Sequence, residues 1–161
     1  MSDDPVQGAA PGDGRTPDPA SAPVAMLLAG LGRLARSALD GALARDGLSL
    51  RHIGAIGHLA ARPGLSLTEL ARRADVSAPS MLATVRRLEE AGLVHRVTPP
   101  GRGRTARLEA TDAGRSALAA ARRHAAALDD RLLAGLGQDD RSTLTALLLR
   151  AAANARDEMR P

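Results

Sequence analysis

The side chains in this sequence best suited to chemistry are its arginines. All 22 basic residues are arginine, and lysine is absent. A guanidinium keeps its charge and presents its N–H groups in a planar fork that fits phosphate oxygens and the edge of guanine. These residues are concentrated. Between positions 50 and 115 stand Arg51, Arg62, Arg72, Arg73, Arg86, Arg87, Arg96, Arg102, Arg104, Arg107 and Arg115, against only Glu69, Asp75, Glu89, Glu90, Glu109 and Asp112. GC-rich codon usage would favour arginine over lysine everywhere, so it explains the residue type and not the clustering. A basic cluster in a chain of pI near 11.2 points to a polyanionic partner.

Other chemistries are poorly supplied. There is no cysteine, which excludes thiol redox sensing, disulfides and cysteine–zinc sites. His52, His58, His95 and His124 lack compact ligand spacing, and the six-residue step from His52 to His58 puts them on different sides of a helix. GLGRLAR at 30–36 lies inside a helical pattern and lacks the strand and spacing of a phosphate-cradling loop. No catalytic triad or carboxylate pair stands out, so we expect no enzyme, cofactor or metal. There is no Phe, Trp or Tyr, so a ligand pocket would be aliphatic with an Arg or His anchor.

The elements that must position the arginines are legible between Leu65 and Leu108. Ser66 followed by Glu69 is a capping box that opens a helix through Leu67, Leu70, Ala71 and Ala74. Ala74-Asp75-Val76 makes a short turn. Ser77 caps a second helix over about 78–91, with Pro79 in its first turn and Met81, Val85 and Leu88 as the buried stripe. Gly92 ends it. Leu93 to Thr98 reads as a strand, Pro99-Pro100-Gly101 as a turn, and Arg104 to Leu108 as the returning strand. Two helices across a tight turn, then a basic hairpin, describe a winged helix-turn-helix, which places its second helix in a DNA major groove.

On either side the pattern is helical. Residues 1–23 hold five prolines and four aspartates and should be disordered. Val24 to Arg45 has Leu27, Leu31, Leu34, Ala38 and Ala42 on one face, widened by Leu28, Ala35, Leu39 and Leu43. Leu50 to Ala61 forms a second helix. Thr111 caps a long one to about Leu133, and Asp139-Asp140 favours the start of the last. The first and last helices are too apolar for isolated surface helices and suit burial against a partner. No apolar run reaches membrane-spanning length and no signal peptide is visible, so the expectation is a soluble, cytoplasmic protein.

LTELARRADVS, LEEAGLVHR, the Gly/Arg-rich wing and TDAGR at 111–115 together resemble the MarR family of transcription regulators, over roughly Val24 to Glu158. The resemblance implies a fold that is mainly α with a small β-hairpin wing, and terminal helices that intertwine into a homodimer. It implies a ligand-responsive repressor of a near-palindromic operator. It also implies that small anionic or phenolic effectors bind between the first two helices and the long one, near Arg33, Arg36, Arg51, His52 and His58. Two departures stand out. Leu82 and Ala83 occupy positions usually polar in the family, so those contacts are not carried over. Arg102 stands where an Asp ordinarily holds the wing arginine, here Arg104.

The expected organisation is a tail at 1–23, a dimerisation helix at 24–49, a winged helix-turn-helix at 50–110 and dimerisation helices at 111–158. Direct base reading falls to Ser77, Ser80, Thr84, Arg86 and Arg87, with Ala78, Leu82 and Ala83 able to touch thymine methyls. Backbone contacts fall to Ser66, Arg72, Arg73 and Arg96, and groove contacts to Arg102, Arg104 and Arg107 of the wing. The partners expected are double-stranded DNA, a second copy of the chain and a small-molecule effector. The alternative is a winged-helix interaction module or antirepressor with weak DNA binding.

Overall fold

The computed structural model describes residues 22–97 and 106–158. Its elements are α1 (Val24–Ala44), α2 (Leu50–Ala61), β1 (Leu65–Ser66), α3 (Leu67–Arg73), α4 (Ala78–Glu90), β2 (Val94–Arg96), β3 (Arg107–Ala110), α5 (Asp112–Leu132) and α6 (Gln138–Glu158). The chain parts into two compact units, residues 1–34 and 35–161. Of the first, residues 22–34 are described. They carry the opening turns of α1, with Val24, Met26, Leu27, Leu31 and Leu34 exposed.

Hydroxyl caps set the helix starts in the second unit. The first amides of a helix have no partner within it, and a side-chain oxygen at the N-cap satisfies one of them. Ser49 caps α2 in a reciprocal box with His52, Ser66 does so for α3 with Glu69, Ser77 caps α4 and Thr111 caps α5. Stops are equally local. Gly47 (φ 68°) follows α1 and Gly92 (φ 69°) follows α4, where the left-handed turn suits a residue without Cβ. Asp75 (φ 52°) turns the chain between α3 and α4, a conformation that Asp tolerates better than most residues.

Three short antiparallel strands lie in the order β1-β3-β2. Leu65 faces Leu108 across β1–β3, and Val94 faces Ala110 across β2–β3. The expected wing strands are thus observed at Val94–Arg96 and Arg107–Ala110, while residues 98–105, with the expected turn and the expected start of the second strand, lie outside the described residues. The strand at Leu65–Ser66 was not foreseen. Those two residues read locally as a helix start, and only the return of β3 gives them a pairing partner.

One core ties this unit together. Ile56 and Leu59 of α2, Leu70 of α3, Met81, Val85 and Leu88 of α4, and Leu108 of β3 are all buried to within 1%. Each such side chain contributes about 1.5–3 kcal/mol relative to exposure. The expected α4 stripe is therefore the buried face. α5 buries Gly114, Ala121 and Leu128. α6 buries none of its described residues, and Leu147, Leu148 and Leu149 stay exposed.

Candidate nucleic-acid interface

α4 has an inner and an outer face. Met81, Thr84, Val85 and Leu88 are buried, while Ala78, Pro79, Ala83, Arg86, Arg87 and Glu90 are exposed and Ser80 and Leu82 half-buried. Thr84 is a correction. Its side chain was expected at the edge of the reading face, but it is only 5% exposed and its Oγ1 donates to the Ser80 carbonyl at 3.0 Å. It is buried with Met81, Val85 and Leu88 on the inner face of α4 rather than presented on the outer one. Ser77 is exposed, and its Oγ accepts from the Ser80 amide. Arg72 and Arg73, in the last turn of α3, are exposed.

Ser66 is spent on its own cap. Its hydroxyl donates to Glu69 Oε2 at 2.7 Å and accepts from the Glu69 amide at 3.2 Å, while its amide donates to the same carboxylate at 2.8 Å. These bonds to the charged form hold the Glu69 carboxyl below its ordinary range. Ser66 therefore starts α3, with both its hydroxyl and its amide engaged in the cap.

The base of the wing is braced against α4 and the α2–β1 connection. Arg96 makes two bonds to Glu89 of α4, Nε to Oε1 at 2.7 Å and Nη2 to Oε2 at 3.2 Å. That fork raises the Arg96 pKa further. Arg96, expected as a phosphate contact, ties β2 to α4 through this fork and stays exposed. On the other strand Arg107 Nη1 donates to the Gly64 carbonyl at 3.0 Å, yet the side chain stays exposed. Arg102 and Arg104 lie outside the described residues. Behind the wing, the Thr111 amide donates to the Leu93 carbonyl at 3.1 Å and the Thr111 hydroxyl to the Gly92 carbonyl at 2.8 Å, so the start of α5 is clamped to the end of α4.

One contact was invisible in the sequence. Arg51, in the first turn of α2, donates from Nη1 to Ser80 Oγ at 2.8 Å. The two residues lie 29 positions apart, and no spacing rule connects them.

A cleft of about 770 Å³ opens between the α1–α2 loop, the end of α4 and the start of α5. Asp46, Leu48, His52, Arg87, Leu88, Glu90 and Ala117 line it among others. His52 Nδ1 accepts from the Ser49 amide at 3.1 Å, which requires that nitrogen to be unprotonated. Burial, then the charges of Arg87 and Arg51, hold the His52 pKa below 6.5. Arg87, expected on the DNA side, thus lines this cleft. The place where an effector pocket was expected, between α1, α2 and α5, holds an apolar cavity of about 170 Å³ lined by Leu39, Leu43, Leu50, Ile53 and Leu118 among others. Of the residues expected around the effector, only His52 lines either cavity.

A helix-turn-helix with a strand-braced wing, its outer face arginine-rich and its cap hydroxyls in place, defines a winged-helix protein built to lie on a polyanion. The comparisons with known proteins agree. A sequence profile of the MarR family matches residues 46–105. The HTH-type transcriptional repressor Rv2887 of Mycobacterium tuberculosis is 36% identical over 115 residues, covering 71% of this chain and 83% of the relative. The crystal structure of that MarR family protein in complex with DNA has a TM-score of 0.71 at 31% identity, covering 81% of this chain and 98% of that one. Its complex with p-aminosalicylic acid gives 0.65 at 33% identity over 81% and 99%. A crystal structure of MarR gives 0.74 at 25% identity over 86% and 94%. This chain belongs to the MarR family.

Proposed function

We propose that this protein is a ligand-responsive transcriptional repressor that binds a near-palindromic operator as a homodimer. The observation that carries the reading is the outer surface of α3 and α4. Arg72, Arg73 and Arg86 are exposed on a helix pair whose second member is locked to the wing through Arg96 and Glu89. In such a fold α4 enters the major groove, and phosphate contacts by arginine supply most of the affinity. Ser77, Ser80 and Arg86 are the polar groups placed to read bases, with Ala78, Leu82 and Ala83 presenting apolar surface to thymine methyls. Arg104 and Arg102 would act from the wing and Arg107 from its base.

The exposed leucines of α1 and α6 support dimerisation, since leucine-rich helix faces are stable only when covered. In this reading residues 24–49 and 111–158 form the dimer and 50–110 the DNA-binding region, with 1–23 as a tail. Two α4 helices would then meet the operator about one DNA turn apart. The cleft beside α4 offers an anionic effector the Arg87 guanidinium and the His52 ring next to Leu48, Leu88 and Leu93, with the Asp46 and Glu90 carboxylates also in its lining. The relative bound to p-aminosalicylic and salicylic acids supports that ligand class. The curated relatives are regulators, and we assign no catalytic activity. Among the described residues no helix is long and apolar enough to cross a membrane. We place the protein in the cytoplasm, where its DNA is.

The test is selection from random duplexes by the purified protein, with affinities measured again across a salt series. A palindromic consensus with steep salt dependence is the expected result. Weak binding without a consensus would overturn it and favour a protein-interaction module.

A further inference from the structure

Arg51 belongs to the arginine cluster but lies outside the helix-turn-helix and wing, to which the sequence assigns the DNA contacts. It lies in the first turn of α2, and its Nη1 donates to Ser80 Oγ, in the first turn of α4, at 2.8 Å. The partner matters. A serine hydroxyl is neutral, so it orients the guanidinium without cancelling its charge. Arg96, Arg115 and Arg141 are each paired with a carboxylate, and among the described residues no carboxylate pairs with Arg51. Its side chain is exposed, and a guanidinium carries five N–H groups, of which Ser80 takes one. The charge is felt locally, since it is one cause of the depressed His52 pKa.

The position is equally informative. A helix lying in the major groove is flanked by sugar–phosphate backbones. A cation that reaches the first turn of α4 from a different helix stands beside the groove rather than inside it. Contacts from there go to phosphates, which fix register and depth. Hence we propose that Arg51 is a DNA-contacting residue: Ser80 holds its guanidinium at the leading end of α4, where it takes a backbone phosphate and sets how the reading helix enters the groove. The proposal rests on α4 being the DNA-reading helix.

Full-length protein and its selected duplex decide the matter, with affinity followed against salt concentration. Arg51→Gln keeps an N–H donor for Ser80 and removes the charge. Its log–log salt slope should fall in magnitude by about 0.9 for each Arg51 in the complex. Ser80→Ala keeps every charge, so its slope should match the parent while affinity falls. Adding Ser80→Ala to Arg51→Gln should cost less than it does alone, because the two side chains act together. Arg62→Gln, at the far end of α2, is the control and should leave slope and affinity unchanged. Melting by circular dichroism checks that each variant folds. A parental slope in folded Arg51→Gln overturns the proposal while leaving the family reading intact. A parent without salt-dependent binding to any duplex overturns both.

Discussion

Replacing Gly114 by alanine adds one carbon where the fold has no room for it. Gly114 is the third residue of α5, and a Cβ built on it would press into the Leu93 carbonyl oxygen and lie 3.2 Å from the carbonyl carbon. Those atoms are backbone, so no side chain can swing aside. The carbonyl is also fixed, because it accepts from the Thr111 amide at 3.1 Å. Relief requires α5 to slide away from the α4–β2 connection. Overpacking of this kind costs about 1–3 kcal/mol, and loss of the Leu93–Thr111 hydrogen bond adds about 1 kcal/mol. Alanine returns at most about 1 kcal/mol through its higher helix propensity. The net is a loss of about 1–3 kcal/mol, or a melting temperature lower by about 2–12 °C for a chain of this size. Gly54 supplies the contrast. It is exposed within α2, and a Cβ there meets nothing within 4 Å. Gly54→Ala should raise stability by about 0.4–1 kcal/mol. Far-ultraviolet circular dichroism reads both, since the chain has no Trp or Tyr for fluorescence. Gly114→Ala melting at or above the parent would refute the close-approach argument.

Other expected outcomes address the site. Thr84→Val removes a buried hydroxyl whose hydrogen bond among the described residues is to Ser80 O; operator affinity and salt slope should stay parental in a binding titration, and a selective loss of one base preference would return Thr84 to the interface. Arg104→Ala should weaken operator binding by about 1–3 kcal/mol, as for a groove-inserted arginine, and unchanged affinity would remove the wing from the reading. Glu69 has a folded pKa below 4.5, so its cap stabilises the folded state above that pH and is lost as pH falls through the folded value. Glu69→Gln should therefore flatten the acid limb of a stability–pH curve. His52 has a folded pKa below 6.5, so stability is lost as pH falls below that value, where the unfolded chain takes up a proton sooner. An anion in the cleft would raise that pKa, so salicylate should bind more tightly as pH falls toward the His52 range, and the effect should vanish in His52→Gln. A parental pH dependence in that variant would place the anion elsewhere.

The sequence by itself determined the local elements and the sign of the partner. Ser66, Ser77 and Thr111 mark helix starts, and Gly47 and Gly92 mark stops, because capping and left-handed turns involve atoms only a few residues apart. The stripe of Met81, Val85 and Leu88 was legible for the same reason, being set by helical period alone. The clustered arginines announced a polyanion without any fold. Tertiary structure decided which side chains remain available. Thr84 sits at the border of the α4 faces, and only the closed core shows it to be covered. Arg96 and Arg87 look alike in sequence, yet one is held by Glu89 and the other turns into a cleft beside His52. The Arg51–Ser80 contact and the demand for glycine at 114 arise where segments distant in sequence meet. Such meetings depend on how the whole core closes, and no local pattern encodes them.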